Sequence, residues 1–474
     1  MRRLPVFFAT LLMSCHVFAA AKPIQVSVTL TGPAIPIPEH FLGLSYETSQ
    51  ILLRSNGTHY FSPSNKPLVR LFKTLGVKSL RIGGNSVDAP KGGPPTERDI
   101  DSLFHFARVA GVKIIYSVRL QDGDPQQAAK AAKYIHDHYA DLLDCFAVGN
   151  EPSYLKPYET YRVKWKAMVD AMMAVAPGAK FCGPDANPNA EWCKKLVAEF
   201  GSTGWFSMIN EHDYPGGGSY KNWDAANVKD LIPIDPAPVR EKMLSTEWNK
   251  RYLTVLKSMT DAVEGTKIPY RLTETNSLWY GGLEGASDSY ASALWSIGYL
   301  YWWAEHGSKG LNFSSGDRTG GGDKTLPSRY AAFVTAGAGY DVHPLSYGMK
   351  VFDLGGHGRL VRVTVVAGDD TKVSAFATVS TDGLMSLTFL NRSHGADGVE
   401  MDVEASLPAS CSAKDVKVLF LVAPKGDIAA KTGLTLGGAP ILPDGQWNGR
   451  WTSLNGKGGK IAVSVPAEIG RAHV

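Results

Sequence analysis

The sequence predicts a parallel (β/α)8 barrel joined to a C-terminal antiparallel β-sandwich, and three patterns lead there. Eight short apolar runs recur between residues 41 and 314, with helix-like stretches between them. After about residue 342 these give way to short β-rich runs parted by Gly, Pro, Asn and Asp. One further alternating run stands ahead of the first barrel-like strand. At 474 residues the chain exceeds one ordinary core, so two domains behind a leader are expected.

Residues 1–21 read as a secretory signal. Arg2 and Arg3 open it, residues 4–13 form a short apolar run, and small residues at 19–21 supply cleavage sites. An apolar run of about ten residues is too short to span a bilayer. Residues 12–15 (LMSC) resemble a lipoprotein cleavage box, so lipid anchoring through Cys15 stays open. The expectation is a secreted or periplasmic protein with no membrane span.

Residues 24–30 (IQVSVTL) alternate like a half-buried strand, and residues 22–40 are expected to join the sandwich. Barrel strands are expected at 41–46, 79–84, 113–120, 145–150, 180–183, 205–210, 270–274 and 310–314. Between them, residues 99–110 put Ile100, Leu103, Phe104, Ala107 and Val109 largely on one face. Residues 124–143 are Ala-rich, and residues 287–306 are apolar enough to pack tightly against the barrel. Continuous apolar strands separated by helices imply a parallel sheet covered on its outside, and eight units over about 300 residues suit a closed barrel. The barrel is placed at 41–341 and the sandwich at 342–474, with strands at 361–366, 373–379, 384–390, 416–422 and 461–465.

Composition excludes some classes. Removing Arg2 and Arg3 takes the formal net charge from +4 to about +2, with no basic block of the kind a nucleic-acid protein carries. Cysteine spacings match no zinc pattern; Cys182 and Cys193 either pair or stay as buried thiols. His136 and His138, two apart on an expected helix, cannot share one face as metal ligands. Gly216–Gly218 and Gly320–Gly322 lack the Lys-Ser/Thr partner of a phosphate cradle and are loops that border the cleft. The chain holds 11 Trp and 19 Tyr, a generous aromatic share that suits either sugar-ring stacking or an aromatic core.

Active sites of such barrels lie at strand C-termini. The fourth strand runs into Gly149-Asn150-Glu151-Pro152 and the seventh into Thr273-Glu274-Thr275-Asn276. Cleaving a glycosidic bond needs one carboxyl group to protonate the leaving oxygen and another to attack the anomeric carbon. In retaining enzymes the two lie about 5–5.5 Å apart, a gap that opposite walls of a barrel mouth supply. Glu151, at an apolar strand end, is expected to have a raised pKa and act as general acid/base. Glu274 is the expected nucleophile, with Tyr214 a donor to it.

The Gly-Asn-Glu-Pro strand end and Glu274 in Leu272-Thr273-Glu274-Thr275-Asn276-Ser277 resemble clan A retaining glycosidases. The order of Gly43-Leu44-Ser45-Tyr46-Glu47, Leu80-Arg81-Ile82-Gly83-Gly84-Asn85, Asn150-Glu151-Pro152, His212-Asp213-Tyr214-Pro215 and Gly339-Tyr340 resembles glycoside hydrolase family 79, the β-glucuronidase and heparanase family. That resemblance implies a carbohydrate substrate bearing β-linked glucuronic acid and a mechanism requiring no metal or organic cofactor. It implies that Asn150 bonds the sugar 2-hydroxyl and that Glu47 and Asp88 hold distal hydroxyls. Gly339 and Tyr340 match the loop that grips the uronate carboxylate, with Tyr280 a second hydroxyl; for Tyr340 a packing role in the interdomain joint is the alternative. His212 reads as active-site floor. Exo action, endo action governed by the insertion at 215–266, another clan A specificity and a non-catalytic carbohydrate-binding relative all stay open.

Overall fold

The computed structural model describes residues 23–89, 93–319, 326–366, 372–395, 398–411 and 415–465. The expected leader at 1–21, with Cys15, and the Gly320–Gly322 run lie outside them. Eight strands, Leu42–Glu47, Ser79–Gly83, Lys113–Val118, Leu143–Val148, Phe181–Ala186, Phe206–Asp213, Tyr270–Thr275 and Gly310–Ser314, close into a parallel barrel in chain order. Each corresponds to a run read from the sequence. They are buried almost throughout because side chains fill the barrel on one face and helices cover the other. The last strand closes on the first, with Leu311 opposite Leu42.

The helices between them bury one stripe each. Glu97–Ala110 starts on a reciprocal cap between Thr96 and Asp99 and buries Ile100, Leu103, Phe104 and Ala107. Val109, two positions after Ala107, falls off that stripe and is exposed. Tyr290–Glu305 is apolar all round because it is covered all round. Its Tyr301 ring stacks on Phe376 of the second domain at 4.3 Å. It also packs along Pro344–Gly355, a helix following the eighth barrel strand in the stretch read as strands only. Pro344 suits a first helical turn, where an N–H has no partner to lose.

The second domain is built on a sheet ordered Met385–Asn391, Val373–Val379, Arg359–Val366, Ile24–Thr29, Met401–Ser406, Lys460–Val465. The N-terminal strand therefore sits inside this sheet, antiparallel to Arg359–Val366 but parallel to Met401–Ser406. That parallel pair makes the sheet mixed where a purely antiparallel one was expected. Val416 and Val418, on a separate strand pair, share one core with Val26, Leu387, Phe389, Val403 and Ile461 of this sheet.

Cys182 and Cys193 are both free, which settles the pairing left open by the sequence. Cys182 faces the barrel interior beside Cys145 and Met208, whereas Cys193 donates to Glu211 Oε1 at 3.2 Å. Among the described residues no helix is long and apolar enough to cross a membrane.

Candidate active site

A charged side chain in a barrel interior is costly unless it is paired and hydrogen-bonded. Arg81, in the middle of the second strand and fully buried, is paired several times over. Its Nη1 donates to Glu274 Oε2 at 2.7 Å and to Ser45 Oγ at 3.1 Å. Its Nη2 donates to Asn150 Oδ1 at 2.8 Å and to Asp185 Oδ2 at 2.6 Å. Asp185, at the end of the fifth strand, also accepts from Thr273 Oγ1 at 2.7 Å, from Asn210 Nδ2 and from His212 Nε2 at 3.1 Å. Burial alone would raise its pKa, but Arg81 and His212 outweigh burial and hold the carboxyl well below its usual range.

His212 lies between two carboxylates. Its Nε2 faces Asp185 and its Nδ1 faces Glu151 Oε1, each at 3.1 Å. Burial by itself would favour the neutral ring, but Asp185 raises the pKa to about 9, so the imidazole is a cation that donates on both sides. The rise expected for Glu151 is therefore absent. Burial does push its pKa up, but the His212 cation, with help from Arg81, turns the net shift downward. Glu151 itself adopts a left-handed backbone, φ 45° and ψ 56°, a sparsely populated region for a residue with a side chain. Such conformations concentrate at functional sites.

Glu274 receives a donor on each oxygen: Arg81 on Oε2, and the Tyr214 hydroxyl on Oε1 at 2.7 Å. Tyr214 stacks on Tyr330, with centroids 6.0 Å apart. One oxygen of Glu151, one nitrogen of His212 and one oxygen of Glu274 lie within 4.8 Å of one another. Three such groups are a possible metal set, but Arg81 and protonated His212 already supply two positive charges there, which disfavours a cation.

Both glutamates open into a cavity of about 690 Å³ at the C-terminal mouth of the barrel. Glu47, Tyr214 and Tyr280 line it, as expected. Glu47 nevertheless turns both oxygens to backbone amides, accepting from Asn85 at 3.2 Å and Ser86 at 2.7 Å. Burial raises its pKa. The remaining four expected contacts are not among the lining residues. Asp88 accepts from the backbone N–H groups of Leu120, Gln121 and Asn150, at 2.7–2.9 Å, so it braces strand ends instead of facing a sugar. Asn150 is buried behind Asn85, to which its Nδ2 donates at 3.2 Å. Gly339 belongs to a hairpin against Pro443, and Tyr340 is buried against Tyr60 and Phe333 with its hydroxyl accepting from Asn65 Nδ2 at 2.8 Å. The packing alternative for Tyr340 is the one the structure supports.

Several residues of the site were passed over in the sequence. Arg81 was legible, since an arginine inside an apolar strand demands partners. Asp185 had the same signal as the glutamates, a carboxylate at a strand end, but that strand was expected to stop at Gly183. Arg251 and Arg318 line the cavity from a helix and from a two-residue strand, where no pattern marks them. Arg251 donates through Nε and Nη2 to Asp213 Oδ1 at 2.7 and 2.6 Å; burial still raises the Asp213 pKa to about 6.

No protein-family model matches the chain, and no curated protein sequence matches it. Solved structures do. A 4-O-α-L-rhamnosyl-β-D-glucuronidase from Fusarium oxysporum superposes with TM-score 0.71 and 15% identity over 95% of this chain and 100% of its own. The family 51 arabinofuranosidase of Xanthomonas axonopodis pv. citri gives 0.67 and 13% over 95% and 99%. The family 51 α-L-arabinofuranosidase AbfB of Bifidobacterium longum gives 0.67 and 15% over 96% and 99%. At these identities the likeness is one of fold: this chain shares the (β/α)8 architecture of these glycosidases.

Proposed function

We propose that the protein is a retaining glycoside hydrolase, acting as an exo-β-glucuronidase on terminal β-linked glucuronic acid. The observation that carries the hydrolase reading is the separation of Glu151 and Glu274, whose nearest oxygens lie within 4.8 Å. That fits the short carboxyl separation of a retaining pair, about 5–5.5 Å.

In this reading Glu274 attacks the anomeric carbon while Glu151 protonates the departing glycosidic oxygen. Arg81 and Tyr214 fix the attacking carboxylate from both sides. In the free enzyme the proton of the Glu151–His212 pair resides on His212. As Glu151 gives a proton to the leaving oxygen, His212 Nδ1 passes its own to Glu151 Oε1, and the neutral ring keeps its Nε2–H on Asp185. The pair thus titrates as a unit. In the second step Glu151 takes a proton from water, which attacks the glycosyl–Glu274 ester and regenerates the sugar with its configuration retained.

The glucuronide assignment rests on the family 79 motif order and on Arg318 in the cavity lining. With Tyr340 turned away, the guanidinium of Arg318 is the group we assign to the substrate carboxylate; guanidinium and carboxylate match as a bidentate pair. Secretion follows from the leader at 1–21 and belongs to the same proposal. A panel of nitrophenyl β-glycosides, with the first-formed anomer read by proton NMR, tests the function. Glucuronide turnover giving the β-anomer is expected. Initial α-anomer would exclude retention, and turnover of xylosides or galactosides alone would overturn the sugar assignment. Shortening of a glucuronate polymer from within would replace exo by endo action. Binding without any turnover would make the protein a carbohydrate-binding relative.

A further inference from the structure

We infer that Trp223 and Trp279 form a platform for a second sugar ring, so that the site recognises an oligosaccharide instead of a single terminal residue. The inference rests on the glycoside-binding reading above and concerns a different part of the surface from the two glutamates.

Trp279 and Tyr280 line the catalytic cavity. One ring further out, the Trp223 indole meets Trp279 edge-on, with centroids 5.7 Å apart and planes at 81°. Trp223 is 56% exposed. What sets this exposed indole apart from Trp451 is its place: it continues the wall of the catalytic cavity through Trp279. Tyr220 meets Tyr280 edge-on at 5.9 Å, so the rim carries four aromatic rings in succession.

The loop bearing Trp223 is pinned at its base. Ile234 N–H donates to Ser219 O at 3.1 Å and Lys221 N–H to Ile232 O at 2.8 Å. Asn222 spans the loop, donating through Nδ2 to Asp230 O at 2.8 Å and accepting from Ile232 N–H at 2.7 Å. The same segment is stitched to Trp279: its N–H donates to Gly217 O at 2.9 Å, and Ser219 Oγ donates to Trp279 O at 2.9 Å. Gly218 has to be glycine for this approach, because a Cβ there would stand 2.7 Å from the Trp279 ring. Two rings are thereby held at a fixed angle to each other at the cavity mouth. A pyranose presents an apolar C–H face between its hydroxyls, and a flat, partly wetted indole covers such a face while leaving the hydroxyls in water. A protein partner would call for a broader apolar patch than two indole edges.

The test is a binding titration in a Glu274→Gln background, which removes turnover. Tryptophan fluorescence is followed with xylose-, glucose- and glucuronate-based tetrasaccharides and with the corresponding monosaccharides. At least one tetrasaccharide is expected to bind about tenfold or more tighter than its monosaccharide. Trp223→Ala should erase that length preference, Trp223→Phe should keep it within about threefold, and Trp451→Ala, removing the other exposed tryptophan, should leave it intact. Absence of any length preference, or its survival in Trp223→Ala, overturns the platform. Because the panel includes neutral sugars, a preference for a neutral tetrasaccharide would sustain the platform while sinking the glucuronide assignment.

Discussion

Replacing Asp185 with Asn should strip the barrel of the charge that keeps two cations in place. The carboxylate is buried and accepts four bonds: Arg81 on Oδ2, and Asn210, His212 and Thr273 on Oδ1. An asparagine of the same shape cannot reproduce this. Whichever way its amide is turned, an NH2 group faces donors, either Arg81 or the set of three. Breaking a buried ion pair by neutralising one partner costs about 3–5 kcal/mol. Arg81 keeps Glu274, Ser45 and Asn150, so the lower end, about 3 kcal/mol, is expected. His212 has its pKa raised from 6.5 to about 9, with Asp185 the leading raising influence. A group held above its unfolded pKa stabilises the fold fully below 6.5 and ceases to do so as pH rises through about 9. The stability gap between wild type and Asp185→Asn should therefore be widest near pH 5–6.5 and narrow toward pH 10. Urea unfolding at several pH values measures the gap, and NMR of the His212 ring protons measures its titration directly. A variant within about 1 kcal/mol of wild type at pH 6, with His212 still titrating near 9, would mean that Asp185 does not hold the two cations.

Three other substitutions probe separate parts of the account. Tyr214→Phe deletes one of the two donors to Glu274; a hydrogen bond to a charged group contributes about 1.5–3 kcal/mol, so kcat/KM should fall roughly 10–100-fold with the melting temperature nearly unchanged. Tyr340→Phe removes only the hydroxyl that accepts from Asn65, so it should lower stability by about 1 kcal/mol and leave the ratio of glucuronide to glucoside turnover unaltered. Gly84→Ala puts a Cβ 2.5 Å from the Glu47 carboxyl group at a φ of +69°, and the melting temperature should drop by several degrees as Glu47 is pushed off its two amides.

The barrel was readable because burial on both faces makes its strands short, largely apolar runs that recur between helical stretches. Glu151, Glu274 and Tyr214 were readable because they stand at the ends of such runs. Pro344–Gly355 escaped notice since its Gly, Ser and Tyr content breaks the apolar stripe; it is buried on nearly every side and needs none. Met401–Ser406 escaped because Asp402 and Glu404 mask an alternation whose inner face is Met401, Val403 and Ala405. The sign of the Glu151 shift was beyond the sequence for another reason. Its apolar neighbours along the chain argue for a raised pKa, and the opposing His212 reaches it only across the barrel. Tyr340 shows the converse, a residue whose motif pointed to the substrate while its packing partners, Tyr60, Asn65 and Phe333, occupy it fully.

The retaining mechanism proposed for this chain requires Glu274 to bond covalently to the sugar. A 2-deoxy-2-fluoro glycoside slows both steps, a good leaving group restores the first, and the glycosyl–Glu274 ester then accumulates. Peptide mass spectrometry should then find one sugar per chain, attached to Glu274, and none in Glu274→Gln. A label on another residue, or time-dependent hydrolysis with no label at all, would contradict the account.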